Sequence, residues 1–268
     1  MTDYKKIDCH LHSEFSYDSE EKIENILKTA AERGLYAVAL TDHCEMNAPE
    51  DSRGEPKVLE GLQKLRSLRE PYSGGLIVLC GAEVGQATQN YAAANHFIET
   101  AKLDFILGSI HNTKAEEDFY FIDFSKRDPL PLYTAYLGEM LELIEWGRFD
   151  SLAHLTYPLR YITEKYGIAI DHSALYPQYD AILSLLAEKE LALEVNTSSV
   201  KNGGGLCPDF TFIKRFFDLG GRRITFGSDS HQAQYIGTGI DNAREAALAA
   251  GFKNAVIYKN RSPIEVAL

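Results

Sequence analysis

The stretch Ile7-Asp8-Cys9-His10-Leu11-His12 decides how this chain is read. It is a short, largely apolar run that reads as a strand. Successive strand side chains alternate faces, so Asp8, His10 and His12 share one face and Cys9 and Leu11 the other. Two imidazoles side by side on one face are half of a metal site. A lone histidine there is better explained as a buried ring hydrogen-bonded to a neighbour. The pair gains weight from what ends the later apolar runs: Thr41-Asp42-His43, Gly81-Ala82-Glu83, Ser109-Ile110-His111, Leu152-Ala153-His154 and Gly227-Ser228-Asp229-Ser230-His231.

Outward from that strand, strand and helix signals alternate. Strands are expected over 6–12, 36–41, 76–83, 104–111, 151–155, 191–196 and 223–227, with a weak last one over 255–258. Helices are expected over 21–33, 58–69, 91–101, 132–146, 173–189, 211–219 and 242–250, several stopped by Gly or Pro. The strands are short and apolar on both faces, as in a buried parallel sheet. Seven such βα units with no Pro-, Gly- or Ser-rich linker predict one domain over 1–268, an α/β barrel or nearly closed barrel. Each polar group named above then falls at a C-terminal strand end, the face where barrels keep their sites. Six of the 8 histidines lie there. His96 and His172 fall on or beside helices and read as packing or surface residues.

Composition narrows the function. The net charge is −12, from 39 acidic and 27 basic residues. That argues against a broad nucleic-acid surface. The opening Met-Thr-Asp-Tyr-Lys-Lys has no signal-peptide core, and the longest apolar stretch, around 76–84, is too short for a bilayer and contains Glu83. Four cysteines without paired spacing read as reduced thiols of a cytoplasmic protein. Cys9 and Cys44 adjoin proposed ligands, but small packing residues are the plainer reading.

Each candidate carries an alternative. Glu83, at the end of an apolar run, is costly to bury unless paired with an arginine or placed on a metal. Asp229 and His231 share a face if extended; otherwise Asp229 bonds backbone amides in a turn. Asp18, in Asp18-Ser19-Glu20-Glu21, is either a ligand or part of a helix cap. The donor set is nitrogen and oxygen without a clear thiolate, which suits zinc, manganese or iron.

Together, His10-Leu11-His12, Thr41-Asp42-His43, Glu83, Ser109-Ile110-His111, His154 and Gly227-Ser228-Asp229-Ser230-His231 resemble the polymerase and histidinol phosphatase (PHP) family, in order along nearly the whole chain. The resemblance implies a distorted (βα)7 TIM-like barrel with two to three divalent metal ions. It implies one ion on His10, His12, Glu83 and Asp229, a second on Glu83, His111 and His154 with Glu83 bridging, and a third on Asp18, His43 and His231. The chain's length and Leu193-Glu194-Val195-Asn196-Thr197-Ser198 are similar to the histidinol-phosphate phosphatases of that family. It departs from them where Ser199-Val200-Lys201 and Asn202-Gly203-Gly204-Gly205 replace the usual Gly and basic residue.

The expected activity is hydrolysis of a small phosphomonoester, L-histidinol phosphate first, by a hydroxide bridging two metals. Arg160 is the expected phosphate clamp, with Lys201 second; solvated loop charges are the alternative for both. Asp42 is either a general acid or a group orienting a metal-bound histidine. Rival readings are a nucleotide phosphatase, an oligonucleotide exonuclease or a protein-tyrosine phosphatase of the same family, and a non-catalytic metal-binding domain. The partner expected is a small phosphorylated substrate, with no membrane; the oligomeric state stays open.

Overall fold

Strand β1, Ile7–Leu11, is buried at every position, as a strand covered on both faces must be. In the computed structural model, which describes residues 4–48 and 54–268, it is followed by α1 (Ile23–Glu32), β2 (Ala37–Leu40), β3 (His43–Glu45), α2 (Glu55–Leu68), β4 (Ile77–Gly85), α3 (Tyr91–Ala101), β5 (Phe105–Ser109), α4 (Leu130–Trp146), β6 (Ser151–Leu152), α5 (Tyr176–Glu188), β7 (Ala192–Asn196), α6 (Phe210–Asp218), β8 (Ile224–Gly227), α7 (Ile240–Ala250), β9 (Asn254–Lys259) and β10 (Ser262–Ala267). The first three residues of the expected N-terminal segment lie outside the described residues. The helices bury one stripe each: Ile23, Ile26, Leu27 and Ala30 in α1, Phe212, Ile213 and Phe216 in α6. Among the described residues, no helix is long and apolar enough to cross a membrane.

The sheet runs β1-β2-β4-β5-β6-β7-β8 with every neighbouring pair parallel. It is a distorted (βα)7 barrel. Between β8 and β1 the ladder shrinks to one bridge, Leu11 to Ser230. Asp229 N donates to His10 O at 2.8 Å and His12 N to Ser230 O at 3.0 Å. Asp8 braces this seam: its carboxylate accepts from Ser228 N (2.8 Å), Ser228 Oγ (2.6 Å) and Gly237 N (2.7 Å). Asp8 is thereby spent on β8 and does not join the histidines that follow it.

Four features differ from the expected elements. β3 resumes the line of β2 after a break at Thr41-Asp42 and pairs His43 with Glu83 on β4. β6 stops at Leu152 because His154 takes a left-handed φ of 24°. A π-helical turn, Arg160–Lys165, leaves the loop after β6. The weak last strand is the first arm of an antiparallel hairpin, β9–β10. That hairpin closes the N-terminal end of the barrel: Tyr258 OH donates to Asp150 O at 3.2 Å, and Arg261 Nε to Asp150 Oδ2 at 2.6 Å.

Candidate metal centre and substrate cavity

Strand β4 carries Glu83 between Ala82 and Val84, and its side chain is fully buried. Its two oxygens face opposite ways. Oε2 lies 3.0 Å from His10 Nε2 and 3.6 Å from His12 Nε2. Oε1 lies 2.9 Å from His154 Nε2 and 3.0 Å from His111 Nε2. Asp229 Oδ1 adds to the first group, 3.3 Å from His12 Nε2 and 3.7 Å from His10 Nε2. Toward solvent, Asp18 Oδ2 lies 2.9 Å from His231 Nε2 and 3.4 Å from His43 Nε2. The structure thus brings together every residue of the expected ligand set.

These separations suit divalent cations. Ligand atoms each about 2.1 Å from a shared ion, at about 90–110° to one another, stand roughly 3.0–3.4 Å apart. His12 Nε2 is buried without a hydrogen-bond partner although it faces two carboxylates. Donor atoms gather within 4.8 Å in three overlapping groups: His12, Asp18, His43 and His231; His10, His12 and Glu83; His43, Glu83 and His111. His43 therefore stands between the second and third expected groupings. No cysteine enters any of these groups among the described residues, and Cys9 and Cys44 are both buried.

Two carboxylates that sequence reasoning passed over hold the rings from behind. Glu194, in β7, sets Oε1 2.6 Å from His10 Nδ1, while Oε2 accepts from His154 N at 2.8 Å. Glu45, in β3, sets Oε1 3.1 Å from His111 Nδ1 and 3.2 Å from His43 Nδ1. A carboxylate at Nδ1 keeps the proton there and leaves Nε2 free to ligate. Gly85 is required opposite Glu45, because a Cβ there would collide with its carboxylate. A signal existed for both. His43-Cys44-Glu45 and Glu194-Val195-Asn196 repeat the one-residue spacing of His10-Leu11-His12.

Charge follows this packing. Burial and the imidazoles of His231 and His43 push His12 down to about 3, so it is neutral with a free lone pair. Burial pulls His43 down too, but Glu83, Asp18 and Glu45 overcome it and raise it to about 10. His10 and His111 are held well above their ordinary value by the carboxylates around them, against the pull of burial. The centre carries more negative charge than its histidines neutralise without taking up protons, and divalent ions meet the same need.

Asp42 has both oxygens engaged by one residue. Its Oδ1 accepts from Ser13 N at 2.6 Å and its Oδ2 from Ser13 Oγ at 2.7 Å. Both oxygens serve the loop after β1, and burial pushes the carboxyl up to about 6. Arg160 lies beside the centre: Nη2 donates to Asn196 Oδ1 at 3.2 Å, Nη1 is 3.6 Å from Asp229 Oδ2, and Nε is buried without a partner. Asn196 also donates to Asp229 Oδ2 at 3.2 Å, so it links the two. Arg160 and Lys201 line one cavity of about 690 Å³, which Asp229 and His231 join to the centre. Lys201 lies over the Tyr235 ring, 4.9 Å from its centroid.

A parallel barrel whose strand ends gather histidines and carboxylates around one buried glutamate defines a class of metal-dependent hydrolase. The PHP domain model matches residues 8–198, and the chain belongs to the PHP family. A probable histidinol-phosphatase of Thermotoga maritima is 31% identical over 235 residues, 88% of this chain and 88% of that protein. The histidinol-phosphatase of Lactococcus lactis is 30% identical over 262 residues, 95% of this chain and 94% of that protein. A crystal structure of the Lactococcus lactis histidinol phosphate phosphatase, complexed with zinc, L-histidinol and phosphate, superposes with a TM-score of 0.83 at 28% identity, covering 97% of this chain and 99% of that one.

Proposed function

We propose that this protein is a metal-dependent phosphatase that hydrolyses L-histidinol phosphate to L-histidinol and phosphate. The observation that carries the reading is Glu83, one oxygen turned to His10 and His12 and the other to His111 and His154. A Lactococcus lactis relative of the same extent holds zinc and both products of that reaction, which supports the substrate.

His10, His12, Glu83 and Asp229 would hold one ion, and Glu83, His111 and His154 a second. Asp18, His43 and His231 would hold a third, with His43 leaning to either side. Bound divalent ions supply a nucleophilic water at neutral pH and neutralise charge at the phosphoryl oxygens. The chain's own groups do the rest. Arg160, steadied by Asn196, has donors left to bind and orient the phosphoryl group. Lys201 lines the same cavity but lies over the Tyr235 ring. Asp42 fixes the loop after β1 through Ser13. Four buried cysteines without paired spacing fit a reducing compartment such as the cytoplasm.

The test is turnover by protein reconstituted with zinc, manganese or iron, offered L-histidinol phosphate, a nucleoside monophosphate, a phosphotyrosine peptide and a short oligonucleotide. L-Histidinol phosphate should give the highest kcat/KM. Preference for any other substrate would overturn the assignment while leaving a metal-dependent hydrolase.

A further inference from the structure

We propose that Glu164 is a specificity-determining residue: it receives the positive charge of the leaving alcohol in the cavity beside the metal centre. This rests on the phosphatase reading above and adds what the site selects.

The cavity carries charge of both signs. Arg160 adjoins Asp229 and the metal centre. Four residues further along the same π-helical turn, Glu164 lines the same cavity and is its one carboxylate outside the centre. Ser199 Oγ donates to Glu164 Oε2 at 2.9 Å and fixes its direction. Gly204 backs it so closely that a Cβ there would stand 3.0 Å from that oxygen. Among the described residues, Oε1 has no hydrogen-bond partner and Glu164 no ion pair. The nearby cations are turned elsewhere. Lys165 lies over Tyr120 and Tyr166, at 5.5 and 5.3 Å from their centroids, and Lys201 lies over Tyr235.

A cavity that sets a guanidinium beside the metal centre and a carboxylate without an ion-pair partner one helical turn away is complementary to a phosphate ester whose alcohol carries an ammonium or imidazolium. Tyr120 and Tyr161, which line the same cavity with ring centroids 5.9 Å apart, offer aromatic faces to such a group. A charged, directed carboxylate makes a stronger hydrogen bond to a cationic N–H than a neutral amide does. Because Glu164 is exposed to solvent, its attraction is also screened by salt.

Glu164→Gln tests this in two arms at low ionic strength. In calorimetry with L-histidinol alone, the wild type should bind and the variant should bind at least about tenfold more weakly. In turnover, the ratio of kcat/KM for L-histidinol phosphate to that for p-nitrophenyl phosphate, whose alcohol part carries no cation, should fall by about tenfold, through KM. Ser199→Ala, which frees the carboxylate, should shift both in the same direction by a smaller factor. Equal L-histidinol binding by wild type and Glu164→Gln, or none by the wild type, overturns the inference. If the variant weakens L-histidinol binding while the wild type fails to cleave L-histidinol phosphate, the Glu164 assignment stands and the function proposed above falls.

Discussion

At the scale of single residues, the site separates into groups that would ligate and groups that aim them. Glu83→Gln removes a charge that two sets of histidines face, so metal content should fall by about one equivalent or more, with activity lost. His231→Ala, at the outer group, should lower metal content by about one equivalent and leave the fold intact. Elemental analysis of the purified variants distinguishes these; unchanged stoichiometry in either would remove that residue from the ligand set. Arg160→Ala should lower kcat/KM by about 10²–10³ without changing metal content. Arg160→Lys should fall between, because an ammonium lacks the paired donors of the guanidinium. The candidate ligands other than Asp18 were legible in the sequence because each lies at or just past the end of an apolar run, where a polar side chain must have a purpose. Glu194 and Glu45 were harder: beyond the one-residue spacing, their pairing with His10 and His111 spans 184 and 66 residues, which the fold alone closes.

At the scale of elements, regular structure is broken where the site needs it broken. His154 and Asp229 both take left-handed φ, 24° and 51°, immediately after β6 and β8. Such conformations cost about 1–3 kcal/mol each and persist only where surroundings hold them. Here His154 N donates to Glu194 and Asp229 N to His10 O, each at 2.8 Å. These breaks explain why β6 is shorter than its apolar run, and why β3 is severed from β2 by Asp42, which turns back to Ser13. The hairpin's second arm escaped notice because its residues are mostly exposed and include Pro263. Gly227 shows how tight the packing is: a Cβ there would collide with His10 and with Glu194. Gly227→Ala should therefore destabilise the protein by about 1–3 kcal/mol and weaken metal binding. Gly138→Ala, in open space on α4, should instead be neutral or stabilising by up to about 1 kcal/mol. Thermal melts with a metal titration would read both, and a Gly227→Ala protein equal to wild type would refute the packing argument.

For the molecule as a whole, the alternation of seven βα units was readable because helix and strand periods differ. The floor of the barrel was not, since Tyr258 and Arg261 meet Asp150 across more than a hundred residues. Stability should respond to pH through Asp42. Its folded carboxyl is raised to about 6 from an ordinary 3.8, so the folded state keeps a proton that the unfolded chain has lost. Stability is then fullest below about 4 for this group and declines as pH rises to about 6, by an amount on the order of 3 kcal/mol. In metal-free protein, Asp42→Asn should flatten that slope; unfolding midpoints across pH 4–7 would show it, and an unaltered slope would exclude Asp42 as its source.

The seam between β8 and β1 gives the centre a second task. His10 and His12 stand on one bank of it, Asp229 and His231 on the other, where backbone rungs are fewest. An ion gripping both banks would act as a rivet through the weakest joint of the cylinder. Exchange of the Asp229 and His12 amides with deuterium should accordingly quicken when the ions are stripped, ahead of amides in the β4–β5 ladder. The same atoms that prepare a phosphate for attack would then decide whether the barrel stays shut.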